Sequence, residues 1–131
     1  MQTIVEPYLY FAGNCAEAMD FYKSVFGGEL ELLPNHEEPT KLMHAKLSGG
    51  LITLMASDSD RTEPYPVSQI SLSIVGSDDA ALRGAFGALA EGGTVTSPIK
   101  LEFWGDIFGS LTDKFGLDWQ VTIRPEVAAA E

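Results

Sequence analysis

His44 is the side chain of this sequence best suited to acid–base chemistry, because an imidazole gains and loses a proton near neutral pH. Apolar and polar residues alternate over residues 42–47, which predicts a strand with His44 on the face opposite Met43 and Ala45. If that face lines a pocket, His44 can serve as a general acid or base. A surface histidine, or one hydrogen-bonded at a dimer contact, also fits the pattern. The sequence favours that plainer interpretation, since it shows no partner for His44.

Two tyrosines and several amide or hydroxyl side chains are candidate ligand contacts. Tyr8 and Tyr10 share one face of a strand predicted over residues 5–11, where they either present hydroxyls to a ligand or are ordinary sheet aromatics. Apolar and polar residues alternate strictly in a second strand, predicted over residues 69–75, and its polar face could also contact a ligand. The polar side chains on these strands and on the last strand are Gln69, Ser71, Ser73 and Gln120. Contact with a ligand and contact with solvent both explain them.

An aromatic stretch near the end of the chain contains Phe103, Trp104 and Phe108, with Gly105 between them. Such a stretch can form a loop over an apolar pocket, or it can pack at a dimer contact or under the last strands. Trp119 alternates with Val121 and Ile123, which favours the core over ligand stacking.

The single cysteine and the loop carboxylates have plainer explanations than chemistry. Cys15 lies at the start of a predicted helix, where the helix dipole can lower a thiol pKa, but packing of a small apolar side chain is the better interpretation. The acidic pairs Glu37-Glu38 and Asp58-Ser59-Asp60 lie in predicted loops, and their spacing does not suit a coordinated cage. We therefore expect solvated loop charge at both pairs.

The elements that position these residues occur twice. Asn14 and Glu17 form a capping-box pattern before a helix whose apolar face ends at Gly27-Gly28. Ser77 or Asp78 can cap a second helix, which Gly92-Gly93 ends 65 residues later. The same shift superposes Phe21 on Phe86, Gly28 on Gly93 and Met55 on Gln120.

A period this long indicates a duplicated half-domain, so the sequence predicts an α+β fold of two βαβββ modules. They are expected to form an open curved sheet around a cleft, with the helices outside. We expect one domain over residues 1–126, with modules over about 3–57 and 68–124 and a frayed tail over 127–131.

Composition limits the classes of partner. The chain has 131 residues, one cysteine and a formal net charge of -11, so an acidic surface should repel phosphate backbones and anionic membranes. No basic segment followed by an apolar run opens the sequence, and no apolar run is long enough to span a bilayer. We expect a soluble cytoplasmic protein that binds neither nucleic acid nor membrane.

Nine stretches of the sequence carry a family resemblance through their order and spacing. They are Phe11-Ala12-Gly13-Asn14-Cys15, Phe21-Tyr22, Phe26-Gly27-Gly28, Met43-His44-Ala45, Leu54-Met55-Ala56-Ser57-Asp58, Leu89-Ala90-Glu91-Gly92-Gly93, Phe103-Trp104-Gly105, Leu111-Thr112-Asp113-Lys114-Phe115-Gly116 and Trp119. Together they resemble the vicinal oxygen chelate superfamily, also called the glyoxalase, bleomycin-resistance and dioxygenase group, and within it the PhnB-like branch. The resemblance covers about residues 7–123. The resemblance implies paired βαβββ modules around a site, and a homodimer.

The resemblance also implies where a metal would bind. Metal enzymes of the superfamily place His, Glu or Gln ligands at four strand positions, which fall here at about Pro7, Met55, Gln69 and Gln120. A proline and a thioether are poor ligands for hard or borderline divalent ions, so we expect no metal cofactor. A shift of one residue would bring Glu6 to the first position, which keeps a divalent metal open.

The resulting prediction is a PhnB-like protein that binds a small molecule in an apolar cleft. A lyase- or dioxygenase-like metalloenzyme of the same superfamily is the alternative, and the sequence leaves open whether the protein is an enzyme. His44 is the candidate catalytic residue. The predicted ligand-binding residues are Tyr8, Tyr10, Met55, Gln69, Ser71, Trp104, Phe108 and Gln120.

Overall fold

Two compact units, Met1–Tyr65 and Pro66–Glu131, make up the chain. The computed structural model describes residues 4–59 and 70–124. The first unit contains β1 (Tyr8–Phe11), α1 (Cys15–Phe26), β2 (Glu29–Pro34), β3 (Leu42–Ser48) and β4 (Leu54–Asp58). The second contains β5 (Leu72–Gly76), α2 (Asp79–Ala90), β6 (Thr94–Leu101), β7 (Ile107–Thr112) and β8 (Asp118–Ile123). The predicted α+β class and the βαβββ order of each module are confirmed.

Each unit has a four-stranded mixed sheet of the same topology. The strand orders are β1-β4-β3-β2 and β5-β8-β7-β6, in which the first pair of each sheet is parallel and the others are antiparallel. Tyr8 pairs with Met55, and Ser73 pairs with Gln120. Both members of the second pair lie 65 residues after those of the first, so the repeat predicted from the sequence is present in the register of the sheets.

Each helix covers one face of its own sheet, as the amphipathic patterns predict. In the first unit the buried helical residues are Cys15, Ala18, Met19, Tyr22 and Phe26. In the second they are Leu82, Ala85, Phe86 and Leu89. The buried strand residues alternate with exposed or half-buried ones, for example Leu9 and Phe11 in β1, so one face of each sheet forms the core. Burial of these apolar side chains contributes about 25 cal/mol per Å² to stability.

The paired glycines after each helix have two separate roles. Gly27 and Gly92 adopt positive φ angles of 73° and 77°, a conformation that glycine enters without steric cost. A Cβ at Gly28 would collide with the carbonyl oxygen of Ser48, and one at Gly93 with that of Thr112. The second glycine of each pair therefore lets the chain pass against the end of the third strand of its module.

Two strands begin later than the sequence predicts. β1 begins at Tyr8, not residue 5, and β5 begins at Leu72, not Gln69. β4 begins at Leu54; the preceding Leu51 amide donates to the carbonyl of Phe26 at 3.0 Å and so is not part of the ladder. Pro7 precedes β1 and the exposed Ile70 precedes β5, and alternation alone did not exclude either residue from its strand.

β6 runs from Thr94 to Leu101 through two register shifts around Ser97. Pro98 lies at this irregularity and has no N–H to donate. Neither helix in residues 4–59 and 70–124 has the length and hydropathy of a transmembrane helix.

Candidate functional site

The face of the first sheet opposite α1, here called the open face, carries most of the chemistry predicted for the first module. Strand register places Tyr8, Met55 and Lys46 in one row across β1, β4 and β3. Alternation along the same strands places Tyr10, Ser57 and His44 in the neighbouring row. The site residues predicted on this half of the chain, namely Tyr8, Tyr10, His44 and Met55, thus share one face.

Tyr8 and His44 are in direct contact on the open face. The Tyr8 hydroxyl oxygen lies 3.2 Å from His44 Nδ1, a hydrogen bond whose donor depends on the protonation of the imidazole. The ring centroids of these two side chains are 5.8 Å apart, and those of Tyr8 and Tyr10 are 5.1 Å apart. The sequence showed no partner for His44, because Tyr8 is 36 residues away and the pairing depends on β4 lying between their strands.

The open face also carries charge that sequence reasoning missed. Lys46 is half-buried, and its register partner on β2 is Glu31, which is exposed. No ion pair joins these two side chains within the described ranges, where the three ion pairs involve other residues. Ser57 is buried, with only 8% of its surface exposed, and contributes a hydroxyl to the same face. Alternation with His44 and Met55 was the available signal for both Lys46 and Ser57.

The corresponding face of the second sheet carries several hydroxyl and amide side chains. Gln120 pairs with Ser73 on one side and Ser110 on the other. The Ser110 hydroxyl lies 2.7 Å from the Thr96 hydroxyl. Phe108 is half-buried and lies two residues along from Ser110, so the predicted residues Gln120 and Phe108 share this face.

The aromatic stretch forms the turn between β6 and β7. The Glu102 amide donates to Asp106 O at 2.8 Å, and Gly105 closes the turn at a φ of 99°. The Trp104 ring makes edge contacts with Phe103 at 5.0 Å and with Phe108 at 6.1 Å between centroids. Trp104 thus contacts Phe108, while it remains 52% exposed and Phe103 is 96% exposed.

Two further predicted residues do not join these clusters. Ser71 is exposed and precedes β5, so it is outside the strand that was predicted to carry it. Gln69 lies outside the described residues. A pocket of about 210 Å³ in the second unit is lined by residues including Leu101, Ile107 and Arg124, and it contains none of the predicted site residues.

Asp58 corrects one interpretation made from the sequence. It is the last residue of β4 and not a solvated loop charge, since its Oδ1 accepts hydrogen bonds from the amides of Gly13 and Cys15 at 3.0 and 2.9 Å. Its Oδ2 accepts from the Leu42 amide at 2.8 Å. Asn14 occupies the N-cap position, but its side chain makes no capping hydrogen bond, so the predicted capping box is wrong. A carboxylate from a distant strand satisfies the first turn of α1 instead.

Cys15 is a core residue, as the plainer interpretation predicted. Its relative exposure is 0%, and it packs within the buried face of α1. Burial, and to a lesser extent the negative charge of Asp58, together raise the pKa of the Cys15 thiol to about 12. The thiol is therefore protonated and inaccessible, so burial outweighs any lowering of its pKa by the helix dipole.

The strand positions implied for a metal do not supply a suitable donor set. The Pro7 carbonyl accepts a hydrogen bond from the Met55 amide at 3.1 Å, and the Met55 side chain offers only a thioether. Among the residues that the structure describes, no three His, Cys, Asp or Glu side chains are grouped so as to hold an ion. Pro7 and Met55 thus offer no side-chain oxygen or nitrogen to a hard divalent cation.

Comparisons with known proteins agree with the architecture. The family model described as Glyoxalase/Bleomycin resistance protein/Dioxygenase superfamily matches residues 4–121. The chain is 27% identical to protein YjdN of Escherichia coli K12, over 91% of this chain and 94% of that protein.

Two solved structures extend this similarity. The crystal structure of protein PA1353 from Pseudomonas aeruginosa is 37% identical with a TM-score of 0.80, and the match covers 95% of this chain and all (100%) of that chain. A Bacillus cereus PhnB protein, described as a putative 3-demethylubiquinone-9 3-methyltransferase, is 25% identical with a TM-score of 0.74, over 92% of this chain and 99% of its own.

Proposed function

Because the chain belongs to the glyoxalase/bleomycin resistance protein/dioxygenase superfamily and is similar to PhnB proteins, we propose that it binds a small molecule against the open face of its first sheet. The contact of Tyr8 with His44 carries this proposal. Both side chains lie on the sheet face opposite the helix, where a hydroxyl, an imidazole and two aromatic rings converge. A few convergent polar groups on an otherwise apolar surface are typical of small-molecule sites.

Methionine methyl groups offer a direct test of this location. Met55 lies on the open face, whereas Met19 is fully buried on the core side of α1. We would label the methionine methyl groups with ¹³C and screen small apolar and oxygen-rich molecules by NMR. Ligands of the proposed site should shift the Met55 signal and leave the Met19 signal in place. Molecules that raise the melting temperature without moving the Met55 signal would contradict the proposal.

We propose that the protein binds its ligand without converting it, and a substitution of His44 distinguishes this proposal from catalysis. Substitution of His44→Ala should leave ligand affinity within a few-fold if the protein only binds. If His44 is an acid or base in turnover, the rate should fall by about a hundredfold or more. A ligand that is converted to product by the native protein and not by the His44→Ala variant would replace the binding proposal with an enzymatic one.

We propose that the site works without a metal cofactor, since Pro7 and Met55 are poor ligands for divalent ions. Untagged protein purified without chelator would be analysed for metal and titrated with nickel, manganese, zinc and iron(II). The proposal predicts no stoichiometric metal and no saturable rise in melting temperature. A rise that EDTA abolishes would instead support the lyase- or dioxygenase-like alternative.

The family resemblance also supports a homodimer in the cytoplasm, and light scattering at working concentration tests the dimer. Methyltransferase activity, named in the description of the Bacillus cereus relative, is not expected of this chain. Its sequence has no glycine-rich loop between a strand and a helix followed by an acidic residue, which is the usual nucleotide-binding signature.

A further inference from the structure

We propose that the open face recognises a small aromatic carboxylate, and that its binding is coupled to protonation of His44 through the Tyr8 hydroxyl. The inference rests on the proposed function and specifies the chemical class of the ligand. Three features of the first module support it. They are an aromatic surface, a hydroxyl that donates or accepts a hydrogen bond according to the protonation of the imidazole, and a half-buried lysine.

The aromatic surface favours a flat apolar ring. The rings of Tyr8 and Tyr10 are inclined by 39° at 5.1 Å between centroids, and they are 38% and 58% exposed. Met55 is the register partner of Tyr8 and lies beside it on the same face. Aromatic rings gain from tilted contacts with one another, and a thioether packs well against a ring edge.

The hydroxyl of Tyr8 can present either a proton or a lone pair to a ligand. When Nδ1 of His44 is unprotonated, the phenol donates to it, and only lone pairs of the Tyr8 oxygen face outward. When Nδ1 carries a proton, as it always does in the charged imidazolium, Nδ1–H donates to the Tyr8 oxygen, which frees the hydroxyl proton to point outward. A carboxylate accepts hydrogen bonds and cannot donate them, so it fits only the second arrangement.

Charge on the same face agrees with this preference. Lys46 lies in the row of Tyr8 and Met55, and a protonated His44 adds a second positive charge in the neighbouring row. The ionisable groups that oppose them on β2 are Glu31, opposite Lys46, and Glu29, opposite Ser48. Tyr8 and Tyr10 are the other ionisable side chains on this face, and Asp58 is occupied by backbone amides. Glu31 weakens the attraction for an anion and therefore provides a second way to test it.

Benzoate and its neutral analogue benzamide are suitable probes, and the chain has only two histidines to observe. We would record the Cε1–H signals of His44 and His36 by NMR between about pH 5 and pH 8, the range in which histidine changes charge. Saturating benzoate should raise the titration midpoint of His44 by about half a unit, which corresponds to about threefold tighter binding to the protonated form. His36, in the loop after β2, is the internal control and should not respond. Benzamide should move neither midpoint.

Substitutions test separately the Tyr8 hydroxyl and the charges that are expected to act on benzoate binding. Tyr8→Phe keeps the ring and removes the hydroxyl, so it should reduce the benzoate-induced shift of the His44 midpoint, whereas Tyr10→Phe should preserve it. Lys46→Gln should weaken benzoate binding by about threefold or more, and Glu31→Gln should strengthen it. Equal shifts at His36 and His44, or a full His44 shift in the Tyr8→Phe protein, would overturn the inference.

Failure of this inference is distinguishable from failure of the proposed function. If uncharged molecules shift the Met55 methyl signal while benzoate moves neither Met55 nor His44, the open face binds a ligand but not an aromatic carboxylate. If no molecule of either kind shifts Met55, the proposed location is wrong, and this inference is wrong with it.

Discussion

The two modules share a topology but anchor their turns with carboxylates in different places. In the first, Asp58 at the end of β4 joins the loop before α1 to the start of β3. In the second, Asp113 follows β7 and accepts hydrogen bonds from the amides of Phe115 and Leu117 and from Trp119 Nε1. The fold requires that these N–H groups be satisfied, but it does not fix which residue supplies the oxygen.

The sheet faces of the two modules differ more than their cores. Leu9 and its counterpart Ile74 are both buried against helices. On the opposite faces, Tyr8 corresponds to Ser73 and Met55 to Gln120. At these positions the first module therefore presents an aromatic ring and a thioether, where the second presents a hydroxyl and an amide. The difference indicates that one scaffold has been used for two surfaces, of which the first is better suited to reversible proton chemistry.

Asp113→Ala should be the most destabilising change. The side chain is 3% exposed, and its removal leaves two amides and a buried indole N–H without this acceptor. Each unsatisfied buried donor costs about 1–3 kcal/mol, so we expect the free energy of unfolding to fall by about 4 kcal/mol. Urea denaturation measures it.

A double-mutant cycle with Trp119→Phe tests the buried bond from the indole to Asp113. If that bond contributes as the geometry indicates, the two substitutions should cost less together than the sum of their separate effects. Additive costs would show that Asp113 acts through the turn amides alone.

Asp58→Ala should have the next largest effect, about 3 kcal/mol, because three backbone amides lose a charged acceptor but are only partly buried. Urea denaturation of this variant is best compared with that of Asn14→Ala. Asn14 has the N-cap position without a capping hydrogen bond, so its loss should be nearly neutral. A larger cost at Asn14 than at Asp58 would mean that the local capping residue, and not the distant carboxylate, holds the helix start.

The sequence predicted the repeated fold because local signals were strong. The helix faces, the glycine pairs and the alternation around Trp119 all depend on periodicity, which a sequence shows directly. Asp58 was misinterpreted because its partners are 16 to 45 residues away and are backbone groups, which carry no side-chain signal. The same reason explains why the Tyr8–His44 contact was missed although both residues were singled out. Register across β4 brings them together, and alternation within one strand does not specify register.

Cys15 should make stability fall at high pH. The thiol has an ordinary pKa of 9.0 and a pKa of about 12 in the folded protein. Below pH 9 the thiol is protonated in both the folded and the unfolded protein, so its contribution to the free energy of unfolding is fully present. Above pH 9 the unfolded protein releases the thiol proton, whereas the folded protein retains it. Stability therefore falls as pH rises from 9 towards 12, by about 1.4 kcal/mol at pH 10.

Urea denaturation at pH 8 and pH 10 measures that loss, and Cys15→Ala is the control. Tyrosine and lysine titrations are common to both proteins, so the difference between their two losses isolates the thiol. Equal losses in the two proteins would contradict the raised pKa.

Asp78→Ala should have the smallest effect, and it completes the comparison of the two helix starts. Asp78 caps α2 locally, with its Oδ1 accepting from the Ala81 amide at 3.1 Å at the exposed surface. Loss of such a cap costs about 1 kcal/mol, which a urea titration can resolve. The corresponding start of α1 depends on a carboxylate that also holds β3, so its loss should affect two elements. If Asp78→Ala proved as costly as Asp58→Ala, capping alone would explain both, and the link from Asp58 to β3 would contribute no stability of its own.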